Sequence, residues 1–221
     1  ITLCMRMFFT MFISLYTSRV ILNALGVEDY GIYSVVCGFV SMFAFLNISM
    51  SNGIQRFFNY ELGINGVEGG RRVYITSLVI QALLLLVIIL SVETFGVWYL
   101  QNKMVIPAER FESAQWIFQF AIISFSLVIM QVPYKAAIMA HERMNYYAFI
   151  SILDSILKLI IAFLIPYANA DKLILYGFLL MLIELLNFIL AYIYSRKHFE
   201  EIRFVPAFSK PLFKSMLSFS G

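Results

Sequence analysis

The sequence predicts an all-α integral membrane protein, a bundle of about six transmembrane helices, and three observations carry that expectation. Hydrophobic residues make up 62% of the 221 positions and charged residues only 13%, with a mean hydropathy of +0.85. A soluble domain carries about a quarter charged residues because its surface must face water; this composition cannot supply such a shell. Apolar runs of about 20 residues, the length that crosses a hydrocarbon layer, recur along the chain. None alternates with a period of two, which excludes the short strands of a membrane barrel. Backbone groups in lipid must be satisfied within each segment, which leaves helices.

The first run spans Leu3 to Leu22 and the second Tyr30 to Ser49. Between them, Asn23 to Asp29 (NALGVED) supplies Gly26 and two acids, a helix-stop signal. The third run, Val73 to Val92, holds no charge; the fourth is Ala114 to Tyr134, the fifth Tyr146 to Tyr167 and the sixth Leu173 to Tyr194. Residues 1–195 are therefore expected to form the bundle, with spans at 3–22, 30–49, 73–92, 114–134, 146–167 and 173–194. Residues 196–221 differ in kind, with charge, Pro206 and Pro211, and then FKSMLSFSG, read as a cytoplasmic linker and the start of a seventh span. The Phe, Leu and Lys pattern there suits a short helix at the membrane surface, and a solvated connector suits it equally. The chain starts at Ile1 and stops as a new apolar stretch begins, so it is expected to be an excerpt of a longer protein. The first apolar run continues past any signal-peptide h-region, so no cleavable signal is expected.

Aromatic residues gather at the drawn ends: Trp98, Tyr99, Trp116, Tyr134, Tyr146, Tyr147, Tyr167, Tyr192 and Tyr194. That is the pattern of an interfacial belt. Of the 16 Lys and Arg residues, eleven fall on one set of loops and flanks, four on the other, and Lys158 within a span. Positive charge is retained on the cytoplasmic side, which places the N-terminus and the segment after span six inside.

Charge within the spans is the main functional signal, because a charged side chain at mid-membrane costs at least roughly 2.5 kcal/mol on insertion scales. Asp154 and Lys158 lie four residues apart on one face of span five, and Glu184 lies in span six. At about 1.5 Å per residue, Asp154 sits about 13 Å deep, Lys158 about 20 Å, and Glu184 about 16 Å from its own end. A buried Asp154, Lys158 and Glu184 cluster joining the two spans is expected, either as a neutralised helix lock or as the wall of a polar cavity. Arg19, toward the outer part of span one, either snorkels to the interface or meets a phosphate in a cavity, which its planar fork suits. Arg56 carries the same ambiguity. Polar residues from Asn47 to Gln55, including Asn52, fit a helix face lining water or packing closely. Pro133 is placed to bend span four.

Catalytic chemistry finds no footing. His141 and His198 fall in expected loops without metal-ligand companions, and Cys4 and Cys37 read as small buried hydrophobes. No cofactor, metal or catalytic residue is expected, and topology accounts for the basic residues without a nucleic-acid patch.

The wording of the chain adds a resemblance. TSRVILNALGVEDYGIYSVVCGFVSMFAFLN (Thr17 to Asn47), SNGIQRFFNYELG (Ser51 to Gly63), VPYKAAIMAHERM (Val132 to Met144) and the closing FKSMLSFSG are similar to bacterial polysaccharide-export flippases. These are the O-antigen and lipid-linked-oligosaccharide translocases of the multidrug/oligosaccharidyl-lipid/polysaccharide exporter superfamily. The resemblance implies a two-bundle transporter of twelve to fourteen spans in the inner membrane, of which this chain is the N-terminal half. It implies a cargo of undecaprenyl-pyrophosphate-linked oligosaccharide, moved to the periplasmic leaflet by alternating access. Relatives line the cavity with arginines, and Arg19 matches such a position. Some relatives couple transport to Na⁺ or H⁺, which cannot be assigned to a residue here. Two alternatives stand beside this reading: an ion-coupled drug or small-molecule exporter of the same superfamily, and a membrane-embedded glycosyl- or acyltransferase.

Overall fold

The computed structural model describes residues 2–102, 106–169, 171–202 and 209–218, and among them every regular element is helical. Helix α1 (Thr2–Ser41) is broken at Gly26, whose φ of 82° and ψ of 169° belong to a region reserved for glycine. The chain reverses there. Before the break, Arg6 lies on Tyr147 and Ser151 while Ile21 packs with Ile161 and Ile165, so the first arm runs alongside residues 144–167 in the same direction. After it, Asp29 meets Arg110, and the second arm returns toward the face that holds the N-terminus.

A turn at Met42 and Phe43 passes into α2 (Ala44–Ser91) without reversing course. The reversal comes at Gly66, with φ 59° and ψ −145°. The glycines that follow keep this bend tight: a Cβ at Gly69 would collide with the main-chain oxygen of Glu61. A π-helical turn (Val92–Gly96) and α3 (Val97–Asn102) complete the third pass, and the rings of Phe118 and Phe39 close over Gly96, where any Cβ would displace them. The fourth pass joins α4 (Phe111–Met130) to α5 (Val132–Ala140) through one turn at Gln131, with Pro133 in the first turn of α5, where it costs no intrahelical bond. Helix α6 (Met144–Leu164) ends in a 3₁₀ turn (Ile165–Tyr167), and α7 (Lys172–His198) runs back.

Among the described residues, five helical stretches are long and apolar enough to cross a membrane; two contain the glycine reversals, and the arm after Gly26 continues into the arm before Gly66, which makes six passes. Large apolar side chains such as Phe12, Leu15, Phe45, Leu86, Phe149 and Ile193 face outward, whereas Gln81, Gln131 and Asn187 are buried. Soluble monomers rarely expose apolar area so extensively; this is a multi-pass membrane protein. Among helices in lipid, dispersion packing and interhelical hydrogen bonds replace the hydrophobic effect as the cohesive force. The interior shows this, with Phe58, Ile54 and Ile138 fully enclosed and Tyr74 donating to Tyr134 at 3.3 Å.

The helices outrun the spans drawn from hydropathy. The segment between spans two and three is helical on both sides of Gly66, and span four continues to Ala140, leaving only residues 141–143 as connector. Polar residues beyond the apolar runs still satisfy their backbone bonds helically, and hydropathy alone does not register that. His198 correspondingly lies in the last turn of α7 rather than in a loop. The short α8 (Lys210–Ser218) buries Met216 and packs Leu212 and Phe213 against the core formed with α2; residues 203–208 and 219–221 of the tail lie outside the described residues.

The face away from the N-terminus is tied by one arginine. Arg110 meets Asp29 at 3.3 Å and Asp171 at 3.0 Å, joining α1, the start of α4 and the cap of α7. Asp171 also accepts from Ser113 at 2.9 Å and from the amides of Leu173 and Ile174, the N-cap arrangement that satisfies otherwise orphaned donors. Burial acts to raise the Asp171 carboxyl, but Ser113, the two amides and Arg110 outweigh it and hold the group below its ordinary value of 3.8.

Two stability predictions follow from these ends. Gly26→Ala places a side chain in a glycine-only conformation and should cost about 1–3 kcal/mol. Gly31→Ala, in open helical space, should be neutral or stabilising; thermal unfolding in detergent compares them. Asp171→Asn should retain most of the cap, whereas Asp171→Ala should lose about 1 kcal/mol for the cap and the arginine pair besides. Because the folded-state carboxyl is depressed, its contribution is full above pH 3.8 and is lost as pH falls below that value. A melting series from pH 6 to pH 3, run on wild type and Asp171→Asn, should show the wild-type advantage shrink toward the acid end.

Candidate functional site

Residues spaced by three or four on one helix share a face, and two such pairs meet at the centre of the bundle. Asp154 and Lys158 project from α6, Glu184 and Asn187 from α7. The Lys158 ammonium lies 2.9 Å from Asp154 Oδ2 and 3.3 Å from Glu184 Oε1. Asn187 Nδ2 donates to Asp154 Oδ1 at 2.9 Å, and Gln131 Nε2 donates to the Glu184 main-chain oxygen at 3.2 Å. Asp154 is ten residues into α6, about 15 Å along it, and Glu184 is similarly central in α7. The carboxylates are mostly enclosed, with 23% and 19% of their side chains exposed, against 36% for Lys158.

That exposure opens onto a cavity of about 1350 Å³ bounded by α1, the start of α2, α4, α6 and α7. Lys158, Asp154 and Glu184 form its charged side. Beside them, α1 contributes Thr10, Ser14, Thr17 and Ser18 to the wall, a hydroxyl stripe at helical spacing. Thr10 and Ser18 bond back to their own helix, but Thr17 Oγ1 and Asn47 Oδ1 are buried without partners. Toward the end away from the N-terminus the wall turns aromatic, with Tyr33 and Tyr176 edge to face at 5.0 Å between centroids. Gly177 brings α7 onto α4 there; its absent Cβ would lie 3.3 Å from Ile117 Cγ1.

A smaller chamber of about 380 Å³ lies on the N-terminal side of the same carboxylates. Lys135, Asn187 and Arg6 line it, the last held by Ser151 Oγ at 2.9 Å and seated 4.9 Å from the Tyr147 ring centroid. Three cations and two carboxylates thus occupy the two chambers. Among the described residues, no group of three or more His, Cys, Asp and Glu side chains is placed to hold a metal ion.

Of the residues expected to face a cavity, the structure places Asn47, Asp154, Lys158 and Glu184 on its wall. Arg19, Arg56 and Asn52 are exposed and lie outside that lining. For Arg19 the reason is angular: Thr10, Ser14, Thr17, Ser18 and Ile21 define the cavity stripe of α1, and a residue one step past Ser18 is turned about 100° from it. Lys135, assigned from sequence to a cytoplasmic flank, instead enters the charged centre. The signal that could have found it was its position one helical turn after Gln131. His141, expected to lack metal-ligand companions, contacts the Glu201 carboxylate and stacks on Phe199.

Removing one partner of a buried ion group strands the others. Lys158→Met should therefore destabilise by about 2 kcal/mol, below the fully buried range because the ammonium is partly solvated. Adding Glu184→Gln should recover at least half of that loss. Equal stability of wild type and Lys158→Met in lipid nanodiscs would remove the cluster from the account.

Comparison with family models, with curated proteins and with solved structures finds no match to this chain.

Proposed function

We propose that this chain forms part of a flippase that carries a pyrophosphate-linked oligosaccharide lipid from the cytoplasmic to the periplasmic leaflet of the bacterial inner membrane. The observation that carries the reading is the cavity: large, central in the bundle, and lined on one side by Lys158 with its two carboxylate partners, Asp154 and Glu184. A volume of about 1350 Å³ exceeds that of ordinary ligand clefts, which reach about 1000 Å³. The hydroxyls of Thr10, Ser14 and Thr17 and the unpartnered Asn47 oxygen offer hydrogen bonds of the kind sugar hydroxyls exchange. Lys158, once released from Asp154 and Glu184, offers a cation to a phosphate. The excess of Lys and Arg around the N-terminal face supports a cytoplasmic N-terminus under the positive-inside rule. The likeness of Thr17 to Asn47 and of Val132 to Met144 to polysaccharide exporters agrees with this cargo.

The cavity also suits a smaller amphipathic cargo, so an ion-coupled exporter is the second reading, favoured specifically by the carboxylates Asp154 and Glu184. Deleting the full-length gene separates the two. Finished lipid-linked repeat units should accumulate on the cytoplasmic leaflet, and surface polysaccharide should be lost. Normal intermediates with normal surface polysaccharide would turn the reading to the exporter, and loss of the intermediate itself would point to an enzyme in its assembly.

A further inference from the structure

Two lysines flank one pair of carboxylates from opposite chambers. Lys158 lines the large cavity and Lys135 the small one, while Asp154 and Glu184 line both. Lys158 is bonded to both carboxylates. Lys135 forms an ion pair with neither, yet it lies within the electrostatic reach of both, and of Lys158. Two neighbouring side chains hold acceptors without a partner. Asn187 Oδ1, beside Asp154 in the small chamber, and Gln131 Oε1, one helical turn before Lys135, are both buried without a partner.

We infer that Lys158 and Lys135 exchange places as counter-ions to Asp154 and Glu184. When a phosphate-class anion enters the large cavity, Lys158 turns to it, and Lys135 moves onto the vacated carboxylates from the small chamber. The inference rests on the anionic cargo proposed above and names the group that receives it.

The argument is one of charge conservation in a low dielectric. Two carboxylates and one lysine give the cavity wall a net negative charge, which repels an anion. If Lys158 left them for the cargo, two carboxylates would lose their ion partner inside the bundle, which is strongly destabilising. A second ammonium in the adjoining chamber removes that obstacle. Arg6 shares that chamber, but its guanidinium already donates to Ser151 and sits over the Tyr147 ring, with Nε buried and unpartnered. Lys135 has a flexible four-carbon stem and a compact charge, which suit it to a short excursion. No proton or covalent change is needed; one ammonium replaces another.

The test is binding of a short prenyl pyrophosphate to the full-length protein in lipid nanodiscs. Lys158→Gln should weaken binding at least about tenfold. Lys135→Gln, although outside the large cavity, should also weaken it by about tenfold, and Lys135→Arg should restore it. Combining Lys135→Gln with Glu184→Gln removes the charge deficit and should return affinity to near the wild-type value. That double variant also serves if Lys135→Gln alone does not fold, since low affinity in it would overturn the exchange. Loss of binding in Lys158→Gln with wild-type affinity in Lys135→Gln would overturn the exchange while leaving the anionic cargo standing. Failure of the wild type to bind the pyrophosphate would overturn the cargo reading and the exchange together.

Discussion

One ammonium group holds the centre of this bundle. Lys158 reaches Asp154 on its own helix and Glu184 on the next, and because a bare carboxylate at that depth is prohibitive, the rotation of α6 against α7 is fixed within narrow limits. Much else follows from that rotation. It turns Asn187 onto Asp154, brings Gln131 at the α4–α5 break onto the Glu184 carbonyl, and leaves Ser155 and Lys158 on the wall of the cavity that α1 also lines. The cavity exists because the charged centre must be kept wet or paired on the side where no helix covers it. The same logic makes Lys135 intelligible: a second cation is tolerated in the interior only where two carboxylates already balance it.

The two ends of the bundle are held by different chemistry. Away from the N-terminus, Arg110 gathers Asp29 and Asp171, and a helix cap, a hydroxyl and a salt bridge converge on one carboxylate. Near the N-terminus, aromatic stacking takes over. Tyr146 lies flat against Tyr194, and His141 stacks on Phe199 while contacting Glu201. Glu201 is almost fully enclosed and lies against Gly70, so the last described turn before the tail is keyed to the second glycine hairpin. Between these tied ends, the first arm of α1 buries only Ile21 among its described side chains. It is also the arm that carries the hydroxyl stripe.

Hydropathy made the six passes legible because each needs about 20 apolar residues whatever its neighbours do. The spacing of Asp154 and Lys158 and the depth of Glu184 were legible for the same reason: helical geometry converts sequence separation into position. What failed to show was direction around the helix axis. Arg19 and Ser18 differ by one residue and by about 100°, which decides whether a side chain meets lipid or cavity. The hydroxyl stripe on α1 was present at positions 10, 14, 17 and 18, but serine and threonine bond back to helix carbonyls so commonly that their spacing carries little meaning until a cavity lies opposite. Lys135 was misplaced because a positive residue after an apolar run reads as the end of a span, and only the turn at Gln131 shows that the helix continues. The partnership of His141 with Glu201 is separated by 60 residues, and no local pattern announces it.

The central claim is that a hydrated cavity lies between the hydroxyl face of α1 and the charged centre on α6 and α7. Cysteine accessibility tests it most directly. With Cys4 and Cys37 replaced, single cysteines at Thr10, Ser14 and Ser18 and at the outward positions Phe12 and Leu15 would be treated with a membrane-impermeant maleimide in intact membranes. A thiol reacts as its thiolate, which forms in water and not in lipid. Reaction at 10, 14 and 18 with protection at 12 and 15 is the result the account predicts. Uniform protection of all five, or reaction without regard to face, would contradict it.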